Sequence, residues 1–237
     1  MRERPNTTLP ERIEAVVFDL DGTLVDTLSD IDAHANAMLA RLGRRALARE
    51  ETASFIGEGL RVFVERSLSA TAAAGLAAIG LDEAMGVFDA EANRLGYAAD
   101  PFDGAEQLLA RIGAAGVPMA VCTNKIEAGA HTLLATRGLA HHFAAVIGGD
   151  TLAFLKPDPR PLLAAVEAVG RPETTLYVGD SGTDARTSEA AGIAFALHTE
   201  GYRREPLEAL PAAITFAQFA ALETAIAGRL SRPPSGA

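Results

Sequence analysis

The sequence predicts an α/β protein: a parallel-sheet core with a helical insert after its first strand. Three observations carry this. Short apolar runs rich in Val and Ile recur along the 237 residues, helical patterns separate most of them, and one long interval after the first run is helical almost throughout. Strands covered on both faces read as near-continuous apolar runs. Strand–helix–strand alternation then builds a parallel, Rossmann-like sheet.

In chain order, Ala15–Phe18 ("AVVF") is the first strand and ends on Asp19. Residues 29–98 follow with the patterns "SDIDAHANAMLARLG", "EGLRVFVERSLS" and "LDEAMGVFDAEANRLG", and with a weakly patterned, Ala-rich piece, "SATAAAGLAAIG". No strand-like run interrupts them, so they form a second, helical domain. Pro101 and Gly104 punctuate the return to the core in "AADPFDGAEQLL". The helix "AEQLLARIGAAG" closes on a glycine suited to a C-cap and leads into a strand at Val117–Val121. Further strands are expected at Ala145–Ile147, Thr175–Val178, Ile193–Leu197 and Ala213–Phe216, with the helix "PRPLLAAVEAVG" directly before Thr175–Val178. The core therefore comprises 14–28 and 99–228 and the insert 29–98. Residues 1–10 and 231–237 ("SRPPSGA" at the end) read as disordered tails.

Composition narrows the function. Net charge is −10 and no Lys/Arg-rich run offsets it, which argues against a nucleic-acid partner. Cys122 is the only cysteine, so no intrachain disulfide forms, and its apolar run marks it as a packing residue. "MRERPNTTLPERIE" lacks the apolar segment of a signal peptide, and no apolar stretch is long enough to span a bilayer. No membrane partner is expected, and the cytoplasm is the expected location. His131, His141 and His142 form no metal-ligand pattern and read as surface or packing groups. His34, on the first helix of the insert near the hinge, is placed where it could approach a ligand, but reads first as a packing group.

The chemistry gathers at strand ends. "AVVFD" ends on Asp19, "MAVCTN" on Thr123 and Asn124, and "LYVGD" on Asp180. In an open parallel sheet these carboxyl ends share one edge, where ligands bind. Asp19, Asp21, Thr123, Asn124, Asp180 and Asp184 thus converge. Two charges about 4 Å apart repel by roughly 4 kcal/mol at an effective dielectric near 20, so the carboxylates need a cation. An all-oxygen set of this kind suits Mg²⁺ together with a substrate phosphate. Gly22 lets the chain turn just after Asp21. One aspartate is then placed to attack phosphorus while its neighbour handles protons.

"DLDGTLVDT", "VCTNK", "LKPDP" and "VGDSGTD", in this order, resemble the four signature motifs of the haloacid dehalogenase-like phosphohydrolases, over about residues 14–216. The resemblance implies Asp19 as nucleophile and Asp21 as general acid/base, with Mg²⁺ held by Asp19, the Asp21 carbonyl and Asp180 and supported from outside by Asp184. It implies phosphate binding by Thr123 and the Asn124 amide. Lys156 is implied as the cation that neutralises Asp19 and a phosphate oxygen. The helical insert resembles the cap domain of this family. Within it, "GEGLRVFVERSL" resembles a stretch of the phosphoglycolate phosphatases, with Phe63 and Ser67 as departures; Ile126 departs from the proline usual after "TNK". Gly57, Glu58, Gly59 and Arg66 become substrate-loop candidates, Arg66 as a bidentate partner for a substrate carboxylate. The expected function is Mg²⁺-dependent hydrolysis of a small phosphorylated metabolite, 2-phosphoglycolate first. A phosphosugar phosphatase or mutase is the alternative, and a catalytically silent binding protein on the same fold is the further one.

Overall fold

The computed structural model describes residues 7–74 and 78–232. Six parallel strands form one sheet: β1 (Ala15–Phe18), β2 (Met119–Cys122), β3 (Ala145–Ile147), β4 (Thr175–Gly179), β5 (Ala194–His198) and β6 (Ile214–Phe216). Their order is β3-β2-β1-β4-β5-β6. The chain crosses to one side of β1 and then returns to the other, so the switch in strand order falls between β1 and β4. β1 and β3 coincide with the sequence expectation. β2 begins at Met119 rather than Val117 because Pro118 has no N–H for the ladder, although its carbonyl still accepts from Val16 N–H at 3.2 Å.

Alternate residues of each strand divide between two buried faces. Val16, Phe18, Val121, Leu176 and Val178 pack with α5 (Ala105–Ala114) and α9 (Phe219–Ile226) through Leu108, Ile112, Phe219 and Leu222. Ala15, Val17, Cys122, Tyr177 and Phe195 face the other way, toward Leu162 and Ala165 of α7 (Arg160–Ala168). Two helices complete the core: α6 (Glu127–Thr136) after β2 and α8 (Gly182–Ala191) after β4.

Between β1 and β2 run α1 (Leu28–Arg41), α2 (Arg49–Phe55), α3 (Leu60–Ala70) and α4 (Leu81–Leu95). Their inner faces make an apolar cluster of their own, with Ile31, Ala35, Met38 and Leu39 of α1 against Phe63, Val64 and Ala84. Helical spacing produces this, since i, i+4, i+7 and i+8 share one face of α1. Glu91 on α4 is buried, and its carboxylate takes Arg41 of α1 at 2.7 Å and Arg94 at 2.6 Å. Hydrogen bonds from these arginines hold its pKa below the usual carboxylate range.

Two connecting segments join these helices to the sheet and pair with each other. Asp26 N–H donates to Asp100 O at 3.1 Å and Phe102 N–H to Leu24 O at 3.0 Å. The Asp30 carboxylate, at the start of α1, accepts Ala98 N–H at 3.0 Å and Ala99 N–H at 2.9 Å.

The tails expected at 1–10 and 231–237 include ordered residues. Leu9 packs against the core, and Ser231 N–H donates to Ile13 O at 2.9 Å, so apolar burial and a backbone hydrogen bond fix both flanks. The rest of those tails, 1–6 and 233–237, lies outside the described residues, as do residues 75–77 of the Ala-rich piece. Among the described residues no helix is long and apolar enough to cross a membrane.

Candidate active site

The carboxyl ends of β1, β2 and β4 deliver Asp19, Thr123 and Asp180 to one edge of the sheet. Asp19 is anchored by its backbone, whose N–H donates to Val178 O on β4 at 2.8 Å. The chain then turns sharply. Gly22, at φ +82°, donates its N–H to Val25 O at 2.9 Å. A Cβ on Gly22 would stand 2.7 Å from Asp180 Oδ2, so glycine answers both the left-handed backbone and the close approach.

Lys156 lies beneath this edge, almost wholly buried. Its ammonium reaches Asp19 Oδ1 at 2.8 Å, Asp184 Oδ1 at 2.7 Å and the Tyr177 hydroxyl at 3.0 Å. An ammonium has three donors, and this geometry occupies all of them. Asp184 also accepts Tyr177 Oη–H on Oδ1 and Ser181 Oγ–H on Oδ2, both at 2.6 Å. Burial alone would raise its pKa, but the Lys156 ammonium and these hydrogen bonds outweigh burial and hold it below the usual value. Ser181 and Asp184 are the capping box of α8, so a helix start fixes this carboxylate.

The other two carboxylates are strained electrostatically. Burial, with Asp184 nearby, pushes Asp19 up to about 7 despite Lys156. Burial and the charges of Asp184 and Asp19 drive Asp180 well above the ordinary range. Asp180 accepts Thr23 Oγ1–H on Oδ1 at 2.8 Å and Tyr202 N–H on Oδ2 at 2.6 Å, which fix its orientation. Oxygens of Asp19, Asp180 and Asp184 lie within 4.8 Å of one another. Three buried carboxylates facing one lysine leave excess negative charge, and the donors are all hard oxygens. This set fits a divalent cation such as Mg²⁺.

A cavity of about 310 Å³ opens above Asp19. Asp21, Thr123, Asn124, Lys156, Gly57 and Gly59 line it, so the structure brings these expected residues together. The Asn124 side chain does more than expected. Its Nδ2 donates to Gly57 O at 3.1 Å and Lys156 O at 3.0 Å, and its Oδ1 accepts Lys156 N–H at 2.9 Å. One amide thereby pins the α2–α3 loop and the Lys156 segment to the end of β2.

Glu58 and Arg66 are not brought there. Arg66 donates to Glu58 Oε1 at 2.8 Å, and Arg204 from the core donates to the same oxygen at 2.9 Å. Neither Glu58 nor Arg66 lines the cavity. Arg66, on α3, pairs through Nη2 with Glu58 of the loop before it, and the structure does not bring it into the cavity lining.

Sequence reasoning left Lys125, Tyr97, Tyr177 and Tyr202 unassigned. Lys125 Nζ lies 3.1 Å from Asp21 Oδ1 and 5.1 Å from the centre of the Tyr97 ring. Its place in "VCTNK" was the available signal. Tyr202 Oη–H donates to Asp26 at 2.7 Å and accepts Leu28 N–H at 2.8 Å, which fastens the chain after β1. No local pattern announces a contact across that sequence distance. Cys122 is buried, and burial pushes its thiol up to about 12, leaving it unreactive.

Known proteins resemble this chain along most of its length. A family model described as haloacid dehalogenase-like hydrolase matches residues 16–198. A phosphoglycolate phosphatase of Cereibacter sphaeroides (strain ATCC 17029 / ATH 2.4.9) is 44% identical over 202 residues, covering 83% of this chain and 89% of the relative. One from Rhodospirillum rubrum is 40% identical over 222 residues, covering 88% and 89%. Among solved structures, a "predicted phosphoglycolate phosphatase" from Haemophilus somnus 129pt superposes with a TM-score of 0.84 at 25% identity, covering 92% of this chain and 99% of that one.

Proposed function

The chain belongs to the haloacid dehalogenase-like hydrolases, in their phosphoglycolate phosphatase-like subgroup, and from that premise we propose that it hydrolyses 2-phosphoglycolate with Mg²⁺ through an aspartyl-phosphate on Asp19. It is a phosphoric monoester hydrolase. The observation that supports the finer reading is that Asp19, Asp21 and Lys156 line a single cavity of about 310 Å³ at the sheet's switch point.

Asp19, the Asp21 carbonyl and Asp180 are the residues that would hold Mg²⁺, with Asp184 supporting from outside through Lys156 and Ser181. Bound there, the ion supplies charge neutralisation for the carboxylates and for the phosphoryl oxygens. Thr123 and the Asn124 amide would hold the phosphate at the end of β2. An Asp19 carboxylate oxygen attacks phosphorus, the P–O ester bond breaks, and its electron pair leaves on the alcohol oxygen. Asp21 delivers the proton to that oxygen. Water then attacks phosphorus, Asp21 takes its proton, and Asp19 departs as a carboxylate with release of phosphate. Splitting one displacement into two lets the same carboxyl act as acid and then as base. Lys156 keeps Asp19 in place and offsets its charge.

The helices of residues 29–98 act in this reading as a cap over the core formed by 14–28 and 99–228. They close the apolar side of the cavity with Ile31, Leu60, Phe63 and Phe88, which excludes bulk water from the phosphoryl group. Phosphate release from 2-phosphoglycolate and from a panel of sugar phosphates, with Mg²⁺ or with chelator, tests the proposal. Preference for 2-phosphoglycolate that is lost with chelator and in Asp19→Asn supports it. Turnover of sugar phosphates alone refutes the substrate, and turnover unaffected by Asp19→Asn refutes the mechanism.

A further inference from the structure

We propose that Lys125 sets substrate specificity: its ammonium takes the second anionic group of the substrate, a carboxylate close to the phosphate ester. The inference rests on the phosphatase reading above and names the group in this chain that recognises the non-reacting end.

Two lysines are the cations lining the cavity among the described residues, Lys125 and Lys156. Lys156 has its three donors engaged by Asp19, Asp184 and Tyr177 at the cavity floor. Lys125 is placed differently. Its Nζ faces a single carboxylate, at 3.1 Å and 3.4 Å from the two oxygens of Asp21, and lies over the face of Tyr97. Its side chain is 13% exposed, against 2% for Lys156, so it borders the cavity rather than lying beneath it. An ammonium with three donors keeps at least one for an incoming ligand in that arrangement.

Among the described residues, the rest of the lining holds no other lysine or arginine; Asn93 and Thr132 there are neutral. Ile31, Leu60, Phe63 and Phe88 make its far wall apolar, and Asp89 at the rim is acidic. His34 points Nε2 at Gly96 O at 2.8 Å and packs edge-on against Tyr97 and Phe88. Arg66 and Arg204 both pair with Glu58 and lie outside the cavity lining. A carboxylate placed in this cavity without a cation would be desolvated and unpaired, so Lys125 decides whether such a substrate is accepted. Position supports this too. Lys125 N–H donates to Thr123 Oγ1 at 3.2 Å, so the loop proposed to hold the phosphate also carries the ammonium. A short substrate is then gripped at both ends by one rigid loop.

The test compares 2-phosphoglycolate with its neutral isostere, phosphoglycolamide, in wild type, Lys125→Gln and Lys125→Arg. Wild type should prefer the carboxylate in kcat/KM by about tenfold or more, the scale of a charge-assisted hydrogen bond. Lys125→Gln should abolish that preference, and Lys125→Arg should restore part of it. If Lys125 serves only to orient Asp21, both substrates fall by the same factor in Lys125→Gln and the inference is overturned. A wild-type enzyme that hydrolyses both esters equally overturns it without any variant. Absence of phosphate release from both esters would instead refute the 2-phosphoglycolate reading on which the inference rests, so the two failures are distinct.

Discussion

Replacing Lys156 by Met removes the one cation among three buried carboxylates, and the cost can be worked from the geometry. Its ammonium lies 2.8 Å from Asp19 Oδ1 and 2.7 Å from Asp184 Oδ1. At an effective dielectric near 20 each contact is worth about 6 kcal/mol before desolvation is subtracted. Protonation limits the loss. At pH 7.5, forcing a proton onto a carboxylate of ordinary pKa costs about 5 kcal/mol. Asp19 already stands at about 7, so most of the new cost falls on Asp184, which Lys156 now holds below its ordinary value. We expect Lys156→Met to lose about 4 kcal/mol at pH 7.5 in EDTA, as for other broken buried pairs. The sign of the pH dependence follows. A carboxylate with a depressed folded pKa contributes stability above its unfolded value, and one with a raised pKa subtracts stability over the same range. Lys156→Met converts Asp184 from the first kind to the second. The gap between variant and wild type should therefore shrink as pH falls, to about 2 kcal/mol at pH 5.5. Urea unfolding at the two pH values measures it. A loss under about 1 kcal/mol at pH 7.5, or a gap that widens toward pH 5.5, refutes the reasoning.

Three further outcomes bear on the same site. Asp19→Asn should lower kcat on 2-phosphoglycolate by at least about 10³-fold while leaving the fold intact, which rapid-quench phosphate assays and circular dichroism would check together. Mg²⁺ at 100 times its Kd should raise the unfolding free energy of wild type by about 2.7 kcal/mol; Asp180→Asn should show little of this, and an equal rise in the variant would remove Asp180 from the metal set. Gly22→Ala places a Cβ 2.7 Å from Asp180 Oδ2 at a φ of +82°. It should cost about 1–3 kcal/mol in thermal unfolding and weaken Mg²⁺ binding in calorimetry, and a neutral result would mean that the turn after β1 relaxes freely.

How much of this was legible in the sequence depends on the range of the forces involved. Asp19, Thr123 and Asp180 each follow a strand whose apolar run is local, and parallel strands bring their carboxyl ends to one edge. Their convergence therefore followed from periodicity and topology alone. The ends of β2 and β5 shifted by a residue or two, because Pro118 and hydrogen bonding to neighbouring strands set where a ladder starts. The polar cross-links were another matter. The pairing of Arg66 with Glu58, the contact of Arg204 from the core with that same carboxylate, and the placing of Lys125 against Asp21 and Tyr97 all join side chains of different segments. Long charged side chains have many rotamers and several partners within reach. The sequence by itself determined which polar residues stand at the strand ends, because those ends are fixed by local pattern. Only the tertiary structure decided which cations border the cavity and which are taken by carboxylates elsewhere, because that choice is settled by packing between segments far apart in the chain.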